Sequence, residues 1–383
     1  MALILSHQTA CEYWLSPYAK SAYRPDPDKI HLFADPNYLV SEKEHYCSQR
    51  SDAGKPSRTL RSNKAPRVYG ASGSSSIIDP VSLRRNGKEA TTPLNDRQVH
   101  DFFSVHEDVF SPPYHVLVLS EGLIRSLKDV VFHKCTAMLP KKSFYMLSND
   151  VYVVSPELCL IQLAPSLSRV EQIKLGYEFT GQYAFDKEEN LFFRMPLTSV
   201  DRIQRYLMSS KRLKGCSQLK AVLSSICDNS ASPRETELSM LLSLPASWGG
   251  FGFQKPELNK RINIPNRFSH LFLHNYYICD LFLRDNSVAI EYDSDDFHVG
   301  VDRISNDSAK RSALLMLGIN VITVTNYQIK NPEEMTLAAR AISKIQGKKY
   351  RKKKSYNYDE RQRALRQEVL SRNRRHGAHF LRK

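Results

Sequence analysis

The residues richest in chemistry lie between positions 276 and 318. Cys279-Asp280-Leu-Phe is followed by the turn-forming Arg284-Asp-Asn-Ser287, by Ile290-Glu-Tyr-Asp293, and by Asp307-Ser-Ala-Lys-Arg311. Runs rich in β-branched and aromatic residues around such a turn predict a hairpin with strands Tyr276–Leu283 and Val288–Asp293. A turn centred on Asp285-Asn286 pairs Leu283 with Val288 and Asp280 with Glu291. Side chains alternate across a strand, so Asp280, Phe282, Ala289, Glu291 and Asp293 share one face. Cys279, Leu281, Leu283, Val288, Ile290 and Tyr292 share the other, which suits a core. Carboxylates gathered in this way repel, and their pKa values rise unless a cation neutralises them. A hard divalent ion, Mg2+ or Mn2+, takes oxygen ligands of this kind. The pattern therefore offers Asp280, Glu291 and Asp293 as metal ligands, and phosphodiester hydrolysis as the chemistry such an ion supports. The same residues also read as solvated edge carboxylates partnered by Arg284, Lys310 or Arg311.

Several elements must hold that hairpin in place. Asp307 to Leu317 reads as a helix, with Asp307 as an N-cap and Gly318 as the stop. Lys310, Leu314 and Leu317 fall on one face of it, which turns Lys310 toward the hairpin. A buried strand over Asn320–Thr325 and a helix over Pro332–Ile345 complete a β-β-α-β-α order. Upstream, Ser232-Pro-Arg-Glu235 is a strong helix start: Ser232 caps, Pro233 fits the first turn and Glu235 holds the capping-box position. Helices are expected at 157–163, 170–179, 200–208 and 218–226, and strands at 115–120 and 151–155. Residues 1–20 read as a short amphipathic helix on Leu3, Ile4, Ala10, Cys11 and Trp14, closed by Pro17. Residues 48–96, with Gly70-Ala-Ser-Gly-Ser-Ser-Ser, read as flexible linker. The expected division is an N-terminal helical segment (1–47), the linker, an α+β domain (97–229), a core (230–346) and a tail (347–383).

Composition narrows the partners. The 383 residues carry a net charge of +15. Residues 347–383 hold 14 Lys and Arg against 3 Asp and Glu, so the tail supplies most of that charge. Such a run suits a polyanion, and Lys348, Lys349, Arg351, Lys352, Lys353 and Lys354, with Arg311 near the hairpin, are the expected nucleic-acid contacts. The seven cysteines are scattered and odd in number, which indicates neither a zinc site nor a disulfide framework. His133-Lys-Cys135 has no third ligand nearby in sequence and reads as incidental. The N-terminus lacks a basic, apolar leader and no stretch approaches a membrane span, so a reduced cytoplasm is the expected compartment and no membrane partner is expected.

Taken together, Cys279-Asp280-Leu-Phe, Ile290-Glu-Tyr-Asp-Ser-Asp-Asp-Phe-His298, Asp307-Ser-Ala-Lys-Arg-Ser-Ala-Leu-Leu-Met-Leu-Gly318 and Val321-Ile-Thr-Val resemble the PD-(D/E)xK nuclease superfamily. The nearest branch is the one related to very-short-patch-repair endonucleases. The resemblance covers about residues 230–330 and includes the Glu235 helix. It implies an α/β restriction-endonuclease-like core at the C-terminus, preceded by an α+β domain, and a Mg2+-dependent endonuclease acting on DNA. It further implies Asp280, Glu291, Asp293 and Glu235 as metal ligands, with His298 and Lys310 assisting at the phosphate. Asp293 stands where the superfamily often has Lys, although this branch commonly shows E-x-D, and a positive group could return from the helix through Lys310, which stands where the branch has Arg. Val151-Tyr-Val-Val-Ser-Pro-Glu-Leu-Cys-Leu-Ile-Gln-Leu-Ala164 is similar to abortive-infection antitoxin domains of the AbiEi type. That likeness implies a toxin partner and an alternative function, a non-catalytic DNA-binding regulator that retains the nuclease fold.

Overall fold

The computed structural model describes residues 3–19, 77–78, 96–119, 124, 126–148, 150–185, 190–272, 274–293, 301–349 and 357–371, with backbone alone at 77–78, 269 and 301–307. It is a mixed α/β structure. In chain order the first half comprises β1 (Leu3–Leu5), α1 (His7–Leu15), β2 (Ile77–Ile78), α2 (Asp96–Val105), β3 (Tyr114–Val118), β4 (Val130–Lys134), β5 (Phe144–Ser148) and β6 (Val151–Val154). There follow α3 (Pro156–Leu163), α4 (Arg169–Thr180), β7 (Tyr183–Phe185), β8 (Leu191–Phe193), α5 (Val200–Ser209) and α6 (Cys216–Leu223). The second half comprises α7 (Pro233–Ser243), β9 (Glu257–Asn263), β10 (Tyr276–Leu283), β11 (Val288–Asp293), α8 (Val301–Met316), β12 (Asn320–Thr325), α9 (Asn326–Lys330), α10 (Pro332–Ile345) and α11 (Tyr358–Leu370).

The first sheet runs β2-β5-β6-β1-β3-β4. Leu3 and Ile4 therefore belong to a strand and not to the expected amphipathic helix. β1 lies parallel to β6 and antiparallel to β3, with Leu5 opposite Val116, and its three residues are fully buried. A strand covered on both faces reads as a continuous apolar run, which three residues followed by a helix conceal. The expected N-terminal segment is thus the middle of the α+β unit. Ile77 pairs with Tyr145, so that part of the expected linker is a strand, and Asp96 opens α2; most of 48–96 lies outside the described residues.

The second sheet, β12-β11-β10-β9, positions the hairpin. β9, β10 and β11 form an antiparallel meander, and α8 then crosses over to bring β12 parallel to β11, Glu291 lying opposite Thr323. One face packs Leu281, Leu283, Val288, Ile290 and Val324 into a core shared with α7, α10 and the N-terminal helices. The other packs Phe282 and Ala289 against Ala313 and Leu314 of α8. The last helix of the described residues, α11, is folded back into the body: Tyr358, Leu365 and Val369 are buried, and Lys174 of α4 donates to the carbonyls of Val369 and Ser371 at 3.0 and 3.2 Å. Residues 358–370 are therefore structure and not tail. No helix of the described residues is long and apolar enough to cross a membrane.

Candidate active site

The hairpin turn is the four-residue loop 284–287, with Asn286 and Ser287 at positive φ (+59° and +47°) and Leu283 paired with Val288 as the sequence predicts. The ladder between β10 and β11 ends at Leu281–Ile290, and the ladder between β10 and β9 skips Asp280, opposite which Asn259 has φ +47°. Asp280 replaces the missing strand partner with its own side chain: Oδ2 accepts from the backbone N–H of Tyr292 at 2.8 Å. This break in the pleat also corrects one expectation. Cys279 packs with Phe282 and Ala289, not with Leu281, and its thiol meets Glu291. Burial, followed by the charge of Glu291, pushes that thiol well above the usual range.

Lys310 reaches the hairpin from α8, as its helical spacing predicts. Its Nζ donates to Glu291 Oε2 at 2.6 Å. Burial opposes its charge, but Glu291 and then Asp280 outweigh that penalty and hold the ammonium above the usual lysine range. The helix itself begins at Val301, so Asp307 lies within it and is not its N-cap. Beside Lys310, Arg311 donates to Thr323 Oγ1 at 3.1 Å, and Thr323 is the residue paired with Glu291 across β12. The structure thus brings Asp280, Glu291, Lys310 and Arg311 to one end of the sheet.

Glu235 stands behind Asp280. It is only 2% exposed, and its carboxylate accepts from Ser232 Oγ (2.9 Å), the Ala231 N–H (2.9 Å) and Asn259 Nδ2 (2.6 Å). Burial raises its pKa well above the carboxylate range, and the negative charge of Asp280 acts in the same direction. These partners give it a fastening role at the start of α7, not that of a metal ligand. Asp293 is exposed at the last position of β11, opposite Thr325. Among the described residues no three His, Cys, Asp or Glu side chains form a group that could hold a metal by themselves. Of the expected set Asp280, Glu291, Asp293 and Glu235, the two that share a charged neighbour are Asp280 and Glu291, both of which act on the Lys310 ammonium. Such a pair fits Mg2+, which commonly binds through one or two carboxylates together with waters and substrate phosphate.

The basic contacts divide. Lys348 pairs with Asp285 at 3.2 Å, at the turn end of the hairpin. That end lies five residues from Asp280, at most about 17 Å along the chain. Lys348 and Lys349 are exposed there. His298, Arg351, Lys352, Lys353 and Lys354 lie outside the described residues. Sequence reasoning missed β9 and Asn259, because Glu257-Leu-Asn-Lys-Arg-Ile-Asn263 carries too few apolar residues for a strand signal. A cleft of about 600 Å³ opens along the outer edge of β9, lined by Asn229, Lys255, Asn259, Lys260 and Arg261. No family model matches the chain, and neither a curated protein nor a solved structure matches it.

Proposed function

We propose that the chain is a Mg2+-dependent nuclease that hydrolyses phosphodiester bonds of DNA, with its centre at Asp280, Glu291 and Lys310. The observation that carries this reading is the ion pair of Lys310 with Glu291, beside an Asp280 at which two strand ladders break and whose carboxylate accepts from the Tyr292 N–H. A strand position given up to a carboxylate is poor sheet design and a common mark of function. The order α7, meander, α8 and parallel β12 supports a restriction-endonuclease-like core, and Lys310 on the helix supplies the cation that Asp293 does not.

Asp280 and Glu291 would hold the ion, which when bound would orient the phosphate and favour hydroxide over water. Lys310 keeps its proton beside two carboxylates, and so offers a fixed positive N–H donor for the charge that builds on the phosphate. Arg311, one residue along the helix and anchored on β12, suits a non-bridging phosphate oxygen. Glu235 and Asn259 fix the bend of the sheet at which Asp280 sits.

The test is cleavage of plasmid and of mismatched duplex DNA with Mg2+ or Mn2+. We expect Asp280→Asn and Glu291→Gln each to lower cleavage by at least about a hundredfold while DNA binding is retained, the usual scale for losing one electrostatic contributor. Binding without cutting by the wild-type chain under either metal would instead favour a regulator that keeps the fold.

A further inference from the structure

Far from the hairpin in sequence, three histidines meet at the edge of the first sheet. His115 on β3 and His133 on β4 face one another, Nδ1 to Nε2, at 2.7 Å. His7, the first residue of α1, lies flat on the His133 ring, with centroids 3.6 Å apart and planes 22° apart. Its backbone N–H is fixed by Gln162 Oε1 at 3.0 Å. All three line a cleft of about 470 Å³ with a floor of Leu117, Leu158 and Ile161. Lys134 and Lys214, both exposed, line it too, and no carboxylate does so among the described residues.

The rings are arranged for one another and not for a metal. Two nitrogens at hydrogen-bond distance share a proton, and stacked planes do not converge their lone pairs on one point. That leaves His115 Nε2. The residue is 1% exposed, and this atom has no hydrogen-bond partner among the described residues. An unsatisfied buried polar atom is uncommon in a folded protein and calls for a partner. Burial depresses all three imidazoles, His115 and His133 to about 4 and His7 to about 2, so near neutral pH they act as hydrogen-bonding groups without charge. If His133 donates to His115, the other nitrogen of His115 is an N–H donor buried in the wall of a cleft whose charged lining residues, among the described ones, are the two lysines. The volume falls within the roughly 300–1,000 Å³ usual for small-molecule sites.

We propose that this cleft binds a small organic anion with an apolar body, its charged head held by the His115 N–H and the two lysines and its body on the leucine and isoleucine floor. This site is independent of the nuclease centre. The test uses the full chain labelled with nitrogen-15 at histidine, titrated near pH 7 with benzoate as the probe. We expect saturable movement of the His115 and His133 ring signals. Benzyl alcohol, with the same body and no charge, and inorganic phosphate, with charge and no body, should each bind at least about tenfold more weakly. His115→Phe should abolish the response. Lys214→Gln, at an exposed position and therefore safe for folding, should weaken it several-fold. No saturable response to benzoate, an equal response to benzyl alcohol, an undiminished response in Lys214→Gln, or a stoichiometric response to Zn2+ that excludes benzoate would each overturn the proposal.

Discussion

At the scale of single residues, the Lys310–Glu291 pair decides how the candidate site behaves. Both side chains are largely buried, 24% and 17% exposed. Removing one partner leaves a charge stranded in a poorly solvated place, which costs about 3 kcal/mol or more. Lys310→Met should therefore lower the urea stability by about that amount, and the double variant with Glu291→Gln should recover most of it. If Asp280 and Glu291 hold a divalent ion, Mg2+ should raise the stability of Lys310→Met more than that of the wild type. An equal effect on both would count against the metal assignment. The histidines make a second prediction. Folded, His115 and His133 titrate at about 4 and His7 at about 2, against 6.5 when unfolded. Above pH 6.5 both states are neutral and nothing is lost. Between pH 6.5 and about 4 the unfolded chain takes up protons that the folded chain refuses, so stability falls with pH, at most by ~1.4 kcal/mol per pH unit for each group. His115→Gln should make the fall between pH 7 and 5 shallower. An unchanged slope in urea midpoints would show that His115 does not contribute. Lys310 was legible because helical spacing is local. The meeting of His7, His115 and His133 was not, because it depends on which strands become neighbours.

At the scale of elements, much of the second sheet could be read in advance. The limits of β10, β11, β12 and α10 follow from alternation and from turn and capping residues, and α7 follows from Ser232 and Pro233. What escaped was set by tertiary context. β9 is polar because it is an edge strand, and α8 begins six residues before the Asp307 that resembles a cap. β1 escaped because a buried three-residue strand carries no period of its own. Its place between β6 and β3 makes it a structural keystone: Leu5 is fully buried, and Leu5→Ala should cost about 3 kcal/mol in urea unfolding. A loss below ~1 kcal/mol would mean that β1 is dispensable to the sheet.

At the scale of the whole molecule, one hydrophobic cluster runs from β1 through α4 and α7 to α10 and α11. Ending the chain at Lys349 removes the buried Tyr358, Leu365 and Val369 together with the partners of Lys174. Such a chain should lose more stability than any single alanine substitution above and become sensitive to protease in α4 and α7. Resistance equal to that of the full chain would show α11 to be an accessory. The contact that joins Lys174 to Glu368 spans 194 residues. During synthesis this has a consequence of its own. Nascent α4 leaves the ribosome long before the helix it caps exists, and β1 waits for both of its neighbours, β3 and β6. Local contacts cannot complete either layer, so closure is slow and waits until α11 has been made. Products terminated before α11 would expose the apolar sides of α4 and α7 that this helix covers.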